Sequence, residues 1–210
     1  MLSVSTHPLI AHDLTLLRDR QTKPDAFRRA LHRISQLLAT EATVHLDLKG
    51  RSVRTPLEEA DGWHLEHPVI LVPVLRAGLG MIDAFLDIIP EAHVGHIGLY
   101  RNEDTLQPVE YYSKYPDALA AADVFILDPM LATGGSAAAA ANILKRQGAR
   151  RLRLITLVAA PEGVRMMEEM HPDIVIHTAS LDHGLNEKGY IVPGLGDAGD
   201  RIFGTGSAGA

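Results

Sequence analysis

The sequence contains no cysteine, and this absence removes several classes of site. Without a thiol the chain has no disulfide, no cysteine-based zinc site and no cysteine nucleophile. Long apolar runs are also missing, because the longest, residues 69–75, is far shorter than the roughly 20 residues that cross a bilayer. Residues 1–10 lack the cationic and apolar regions of a secretory signal. We therefore expect a cytoplasmic protein with no membrane partner.

The chain also lacks a surplus of positive charge. It has 20 Lys and Arg against 26 Asp and Glu, which gives a formal net charge of −6. Sequence-independent binding to nucleic acid depends on an excess of cations, so we predict no nucleic-acid partner. Any phosphate that the protein binds must be held by a few local groups.

What is present describes one globular domain of 210 residues, 46% of them hydrophobic. Residues 23–38 carry apolar side chains at helical spacing, with Pro24 suited to the first helical position, and predict an amphipathic helix. Residues 40–67 mix short β-branched pieces with turn residues. They indicate hairpin-like strands outside the main sheet.

Beyond residue 67, short apolar runs alternate with helical segments. The predicted strands are residues 69–75, 94–100, 124–128, 151–160 and 173–179. This alternation predicts an α/β fold, a parallel sheet with helices on both faces, in which ligands bind at the carboxyl ends of the strands. The loops that follow the strands are therefore the candidate site: residues 73–80, 100–116, 128–136 and 180–203. Residues 101–116 are polar and long, which predicts a flap or hairpin.

One of these loops has the composition of an anion site. Thr133, Gly134, Gly135 and Ser136 stand at the start of a predicted helix, where unpaired N–H groups and the helix dipole attract a negative charge. No Lys follows the glycines, so the loop is neither that of the nucleotide triphosphatases nor a dinucleotide fingerprint. Taken alone, the turn is equally well explained as an ordinary helix start.

Asp128 ends the preceding strand, where its carboxylate can accept hydrogen bonds from two sugar hydroxyls or cap the turn. An acid, a short apolar loop, hydroxyls and glycines in this order favour a sugar phosphate. The string DPMLATGGS at residues 128–136 resembles the phosphoribosyl pyrophosphate (PRPP) motif of the type I phosphoribosyltransferases, in the version of the uracil phosphoribosyltransferase family.

Further blocks resemble that family in the same order. They are LRAGLGM at 75–81, YRNEDTLQPVEYY at 100–112, LVAAPEG at 157–163 and GLNEKGYIVPGLGDAGDRIFGT at 184–205. The resemblance covers residues 8–205 and implies a type I phosphoribosyltransferase-like sheet with a small hood. It divides the single domain into an N-terminal helix with irregular strands (1–67), a core sheet (68–180), a uracil-binding hood segment (181–205) and a flexible tail (206–210).

The resemblance implies the transfer of the 5-phosphoribosyl group of PRPP to N1 of uracil, which gives UMP and diphosphate in pyrimidine salvage. It assigns PRPP binding to Arg76, Arg101, Asp128, Pro129, Met130, Leu131, Ala132, Thr133, Gly134, Gly135, Ser136 and Asp197. It assigns uracil binding to Ile191, Gly196, Asp197 and Ala198. Backbone groups of this glycine-rich segment can read the carbonyls and N3–H of uracil, and cytosine would leave them unpaired.

Arg76 and Asp197 are the expected catalytic residues. A guanidinium can grip a diphosphate as charge develops on it, whereas an ordinary surface arginine here would pair with Asp83 or Asp87. We expect Asp197 to handle the N1 proton of uracil or to stabilise the developing positive charge.

No protein metal site is predicted. Pro129 follows Asp128 where many type I enzymes have a second acid, so Mg²⁺ is expected to arrive as the PRPP complex. The pairs His64 and His67, and His93 and His96, have ligand-like spacing but are better explained as ordinary surface or core histidines. The resemblance also implies a homo-oligomer, either a dimer or a tetramer, and GTP as a candidate effector.

A function of a different class stays open at this point. A basic cluster formed by Lys145, Arg146, Arg150, Arg151 and Arg153 suits a phosphoribosyltransferase-like RNA-binding regulator of pyrimidine genes. The acidic balance of the chain and the base-binding block oppose it. Enzymes for purines or orotate are expected to lack YIVPGLGDAGD.

Overall fold

The structure is a computed structural model that describes residues 1–101 and 108–205, without the side chains of Tyr100, Arg101 and Pro108. Its helices are α1 (Pro8–Arg18), α2 (Pro24–Thr43), α3 (Leu79–Ile88), α4 (Gly135–Arg146), α5 (Pro161–Met170) and α6 (Ala198–Phe203). Its strands are β1 (Leu2–Val4), β2 (Leu48–Arg54), β3 (Glu59–Leu65), β4 (Val69–Leu75), β5 (His93–Val94), β6 (His96–Arg101), β7 (Pro108–Lys114), β8 (Asp123–Leu127), β9 (Met130–Leu131), β10 (Arg151–Ala159), β11 (Val175–Leu181), β12 (Gly184–Leu185) and β13 (Ile191–Val192). None of the helices in these ranges is long and apolar enough to cross a membrane.

The main sheet has the strand order β1-β11-β10-β8-β4-β6-β7, and β5 and β9 are short additions beside β4 and β10. The pairs along this order are parallel apart from β6 and β7, which are antiparallel. The carboxyl ends of β4, β8, β10 and β11 therefore lie along one edge of the sheet. The predicted α/β class and mostly parallel sheet are confirmed.

Helices cover both faces of the sheet because the central strands present apolar side chains to both sides, and β4 is apolar at every position. Val69 and Leu71 of β4 belong to a core beneath α1, α2, α3 and α6. Ile70 and Val72, which point the other way, pack in a second core beneath α4 and α5. Neighbouring residues of one strand thus serve opposite layers, as expected for a buried parallel sheet.

The five strands predicted from apolar runs correspond to β4, β6, β8, β10 and β11, and each end agrees within two residues. The sequence does not predict β1 or α1. The three residues of β1 pair in parallel with β11 at the sheet edge, and a strand this short shows no periodicity. The predicted hairpin in residues 40–67 is present as β2 and β3, which form a separate antiparallel pair.

The predicted flap is built on β6 and β7. Their antiparallel pairing runs from His96 opposite Lys114 to Arg101 opposite Pro108. Residues 102–107 of this predicted flap and the predicted tail at 206–210 lie outside the described residues.

Candidate active site

The loops after β4 and β8 meet where the strand order reverses. From β4 the chain continues to β6 on one side, and it returns to β8 on the other side of β4. A crevice forms at the carboxyl ends of such neighbouring strands. Here it is a cavity of about 240 Å³ lined by residues 74–77, 128 and 130–137. The predicted loops at residues 73–80 and 128–136 are therefore brought together.

The loop after β4 lies against the end of β8, and Gly78 makes this approach possible. A Cβ atom at Gly78 would stand 2.7 Å from the backbone N of Val74 and 2.8 Å from its carbonyl oxygen, and it would also collide with the carbonyl oxygen of Leu127. The peptide bond between Leu75 and Arg76 in the same loop is cis.

Arg76 stands at the rim of the cavity with its side chain 60% exposed. Its guanidinium pairs with Asp200 at 3.5 Å, rather than with Asp83 or Asp87, the partners of an ordinary surface arginine. Asp87 accepts hydrogen bonds from α2 instead, at Oδ2, from the side chains of His32 and Gln36. Arg76 is thus presented to the cavity by the predicted loop.

The loop after β8 turns into α4 through two different glycines. Gly134 has a φ of 86°, and a Cβ there would lie 2.9 Å from Cβ of Met166 and 3.0 Å from the carbonyl oxygen of Gly163. Gly135 is the first residue of α4, and a Cβ there would meet only the hydroxyl of Thr133, at an ordinary 3.8 Å. The fold therefore requires glycine at position 134 but leaves open space at position 135.

The first turn of α5 supports this loop from behind. A Cβ on Gly163 would lie 2.5 Å from the carbonyl oxygen of Ala132 and 2.9 Å from that of Leu131. The close packing of α5 against these carbonyls holds the backbone of Leu131 and Ala132, two residues that line the cavity. Met130, Ser136 and the loop residues between them all line it.

Asp128 faces the cavity from the end of β8 and is half-buried. Its Oδ1 accepts one long hydrogen bond, 3.3 Å, from the backbone N–H of Met130. Burial, which this one hydrogen bond offsets only in part, raises the pKa of the Asp128 carboxyl to about 6. Near pH 7 it is a carboxylate with acceptor capacity to spare for ligand hydroxyls.

In the described part of the chain, the predicted PRPP residues Pro129 and Asp197 do not line the first cavity. Pro129 is buried, is not among the residues that line the cavity, and uses its carbonyl to accept the N–H groups of Leu157 and Val158 in β10. The backbone of Arg101 ends β6, but its side chain lies outside the described residues.

The predicted uracil residues follow β11 in the segment of residues 182–198, called here the base segment. Its core is the antiparallel pair of β12 and β13, in which Leu185 stands opposite Ile191. The side chains of Ile191 and Ala198 are buried, so these residues can offer a ligand their backbone groups. Gly196 and Asp197 are exposed and line a second cavity of about 660 Å³.

Near its end, the base segment brings Asp197 close to Arg76 of the first cavity. Oδ1 of Asp197 accepts the backbone N–H of Asp200 at 2.9 Å and so caps the start of α6. A Cβ on Gly199 would lie 3.3 Å from Asp197 Oδ1 and 3.7 Å from Arg76 Nη2. The two expected catalytic residues therefore flank one glycine.

The sequence gives no sign of Arg18 and Asp182, which hold the base segment. Arg18, at the end of α1, binds both carboxylate oxygens of Asp182, at 2.6 and 2.7 Å. The two residues are 164 positions apart in the chain, so no local pattern could have paired them. Burial opposes ionisation of Asp182, but hydrogen bonds from Arg18, Ser180 and the backbone of Gly194 outweigh it and hold the pKa of Asp182 below its usual value.

Cations of the basic cluster have intramolecular partners. Lys145 pairs with Asp173 at 2.6 Å, while Arg151 and Arg153 approach Asp123 at 3.5 and 3.6 Å. In the described ranges, no group of three or more His, Asp or Glu side chains is placed to hold a metal ion. Neither result, for the described residues, supports the hypothesis of an RNA-binding surface or of a metal centre.

Comparison with known proteins agrees with this geometry. A protein named uracil phosphoribosyltransferase from Roseiflexus castenholzii is 56% identical over 203 residues, which covers 97% of this chain and 98% of that protein. The solved AQ2163 protein from Aquifex aeolicus superposes with a TM-score of 0.93 at 36% identity, over 99% of this chain and 100% of that one. A hypoxanthine-guanine phosphoribosyltransferase from Bacillus anthracis shares the fold alone, with a TM-score of 0.53 at 10% identity over 76% of this chain and 80% of that one. Because the sequence profile described as uracil phosphoribosyltransferase also matches residues 4–205, the chain belongs to the uracil phosphoribosyltransferase family.

Proposed function

We propose that this chain transfers the 5-phosphoribosyl group of PRPP to N1 of uracil, forming UMP and diphosphate in pyrimidine salvage. It is an enzyme of the pentosyltransferase class, by its family. The observation that carries the proposal is the meeting of three loops at one sheet edge. The loops after β4 and β8 line one cavity, and Asp200, which follows the base segment in α6, pairs with Arg76 at the rim of that cavity.

PRPP binds along the first cavity. The phosphate on C5′ of the ribose is held by the first-turn N–H groups of α4, together with the hydroxyls of Thr133 and Ser136. Asp128 accepts hydrogen bonds from the ribose hydroxyls. Arg76 at the opposite rim binds the diphosphate, since a guanidinium forms paired hydrogen bonds with phosphate oxygens.

Uracil binds to the backbone of the base segment at Ile191, Gly196 and Ala198. Fixed N–H and C=O groups can match the two carbonyls and the N3–H of uracil. Cytosine, with an amino group and a bare N3, would leave buried partners unpaired, a stronger discrimination than a change of size gives.

The reaction forms the bond between N1 and C1′ and breaks the bond between C1′ and the diphosphate oxygen, through an oxocarbenium-like transition state. The electron pair of the broken bond leaves with diphosphate, where Arg76 stabilises the growing negative charge. Asp197 takes up the N1 proton or stabilises the positive charge on the sugar. The protein contributes mainly by alignment and electrostatics, because no covalent intermediate is needed.

Magnesium enters as part of the substrate. Of the described residues that line the first cavity, Asp128 carries the one carboxylate, and Mg²⁺ prefers several oxygens and keeps its waters. The donor set therefore fits an ion held chiefly by PRPP and water. A cytoplasmic location, a homo-oligomeric assembly and a response to GTP complete the proposal, and cell fractionation, light scattering and assays with added GTP would test them.

The test is to incubate the protein with Mg²⁺, PRPP and, separately, uracil, cytosine, orotate or hypoxanthine, and to identify the nucleotide formed. UMP from uracil alone is the expected result. Nucleotide from another base, or no PRPP consumption with uracil, would overturn the proposal. RNA binding that weakens steeply with salt, in a protein that consumes no PRPP, would favour a regulator instead.

A further inference from the structure

The base segment is anchored to α1, whose last residue, Arg18, lines the second cavity together with Gly196 and Asp197. Arg18 ends α1, which lies in the same helical layer as α2, α3 and α6, and its side chain crosses to the start of the base segment at Asp182. Nη1 and Nη2 each bind one carboxylate oxygen, so the guanidinium and the carboxylate form a two-pronged contact. This geometry fixes orientation as well as distance.

Asp182 connects the two ends of the base-segment hairpin. Its Oδ2 accepts the backbone N–H of Gly194 at 2.8 Å, and Oδ1 accepts the hydroxyl of Ser180 at 2.8 Å. Arg18 also donates to the carbonyl oxygen of Gly194 at 2.9 Å. Both backbone groups of Gly194 are thus held by one ion pair.

Gly194 forms a turn that lies between the proposed uracil-binding residues in the chain. Ile191 precedes it by three residues and Gly196 follows it by two. Its φ of 59° is left-handed, and the carbonyl oxygen of Ile191 lies so close that a Cβ would collide with it. A shift of this turn therefore moves the backbone on both sides, where the base is read.

The PRPP loops are held by other contacts. The loop after β8 is supported by Gly163 in α5, and the loop after β4 by the end of β8. Neither Arg18 nor Asp182 is among the residues that line the first cavity.

We propose that Arg18 and Asp182 are positioning residues for the base, which set the affinity for uracil by holding the turn at Gly194 and leave PRPP binding unchanged. This inference rests on the proposed function, because it takes the base segment as the uracil site. It gives α1 a role that its place in the sequence does not suggest.

A second arginine fork in the same helical layer supplies a matched control. Arg33 in α2 binds Asp13 in α1 through Nε at 2.8 Å and Nη2 at 2.5 Å, and the Asp13 side chain is 4% exposed. For comparison, the Asp182 side chain is 1% exposed. Loss of either arginine leaves a buried carboxylate without its cation, so both changes should lower Tm. The Arg33 fork joins two helices and includes no residue of the base segment.

The experiment compares Arg18→Ala, Arg18→Lys and Arg33→Ala in steady-state assays, with KM for uracil and KM for PRPP measured separately beside Tm. Arg18→Ala should raise KM for uracil about tenfold or more, because small misplacements of a binding group cost this much, with KM for PRPP within about twofold. Arg18→Lys should recover part of the loss, since an ammonium keeps the charge without the fork. Arg33→Ala should lower Tm with both KM values near wild type.

An unchanged KM for uracil in Arg18→Ala would overturn the inference, as would a parallel rise of both KM values or an equal effect of Arg33→Ala. If Arg18→Ala does not fold, Asp182→Asn and Arg18→Lys decide, and wild-type KM for uracil in both would also overturn it. A wild-type protein that makes no UMP refutes the proposed function itself. The two failures are therefore distinguishable.

Discussion

Replacement of Gly135 by alanine separates the phosphate-binding role of the loop after β8 from its folding role. The position has no left-handed backbone, and a Cβ there would meet only Thr133 Oγ1, at 3.8 Å. Alanine is favoured over glycine within a helix by about 1 kcal/mol, so the free energy of unfolding should stay unchanged or rise by up to about that amount. The empty protein should therefore accept Gly135→Ala.

The same substitution should weaken the binding of PRPP. The added methyl group stands beside the first-turn N–H groups of α4, where the phosphate must approach. Loss of one hydrogen bond to a charged group costs about 1.5–3 kcal/mol, which corresponds to about a 10- to 150-fold rise in KM for PRPP. Thermal unfolding without ligand and steady-state kinetics at saturating uracil measure the two effects separately.

Gly134→Ala is the matched comparison. The left-handed φ of Gly134 and its close contact with Met166 predict a lower Tm even without ligand. Substitution of Gly134 should therefore impair folding, whereas substitution of Gly135 should impair PRPP binding. If Gly135→Ala bound PRPP as the wild type does, with an unchanged Tm, the assignment of the phosphate to this loop would be wrong.

Four further predictions concern Asp128, His177 and Gly78. Because the pKa of Asp128 is raised to about 6, the KM for PRPP should rise as pH falls below that value, and Asp128→Asn should remove this dependence. In the empty protein the folded Asp128 keeps its proton to higher pH than the unfolded chain does. The free energy of unfolding should therefore fall as pH rises from about 4 to 6, as urea titrations at several pH values would show. Burial, with Arg153 and His45 nearby, lowers the pKa of His177 to about 4. The free energy of unfolding should therefore decrease by up to about 3 kcal/mol as pH falls from about 6.5 to 4. The decrease over this pH range should be smaller in His177→Phe. Gly78→Ala should fail to fold or lose several kcal/mol in urea unfolding, because its Cβ would meet backbone atoms that cannot move aside, and a wild-type midpoint would contradict that packing.

The sequence predicts those parts of the structure whose signal is local. The five predicted strands agree with the sheet because each is a short stretch rich in apolar residues, and the loop at residues 128–136 follows from an acid, hydroxyls and glycines in one short stretch. The strand β1 is not predicted, since three residues that gain their stability from pairing with β11 have no pattern of their own. The fork between Arg18 and Asp182 is not predicted either, because either residue alone resembles any surface charge.

The stability of the empty protein and its affinity for PRPP are linked through Asp128. A half-buried carboxylate whose one hydrogen bond from the described residues is as long as 3.3 Å is costly to keep ionised near pH 7, and its raised pKa reflects that cost. Ribose hydroxyls would supply the missing donors, so part of the binding free energy comes from relief of a strain that the fold already carries. Asp128→Asn should therefore raise the Tm of the empty protein while it weakens PRPP binding. A substitution that stabilises the fold and impairs the ligand at the same residue is what a site, rather than a structural cap, would show.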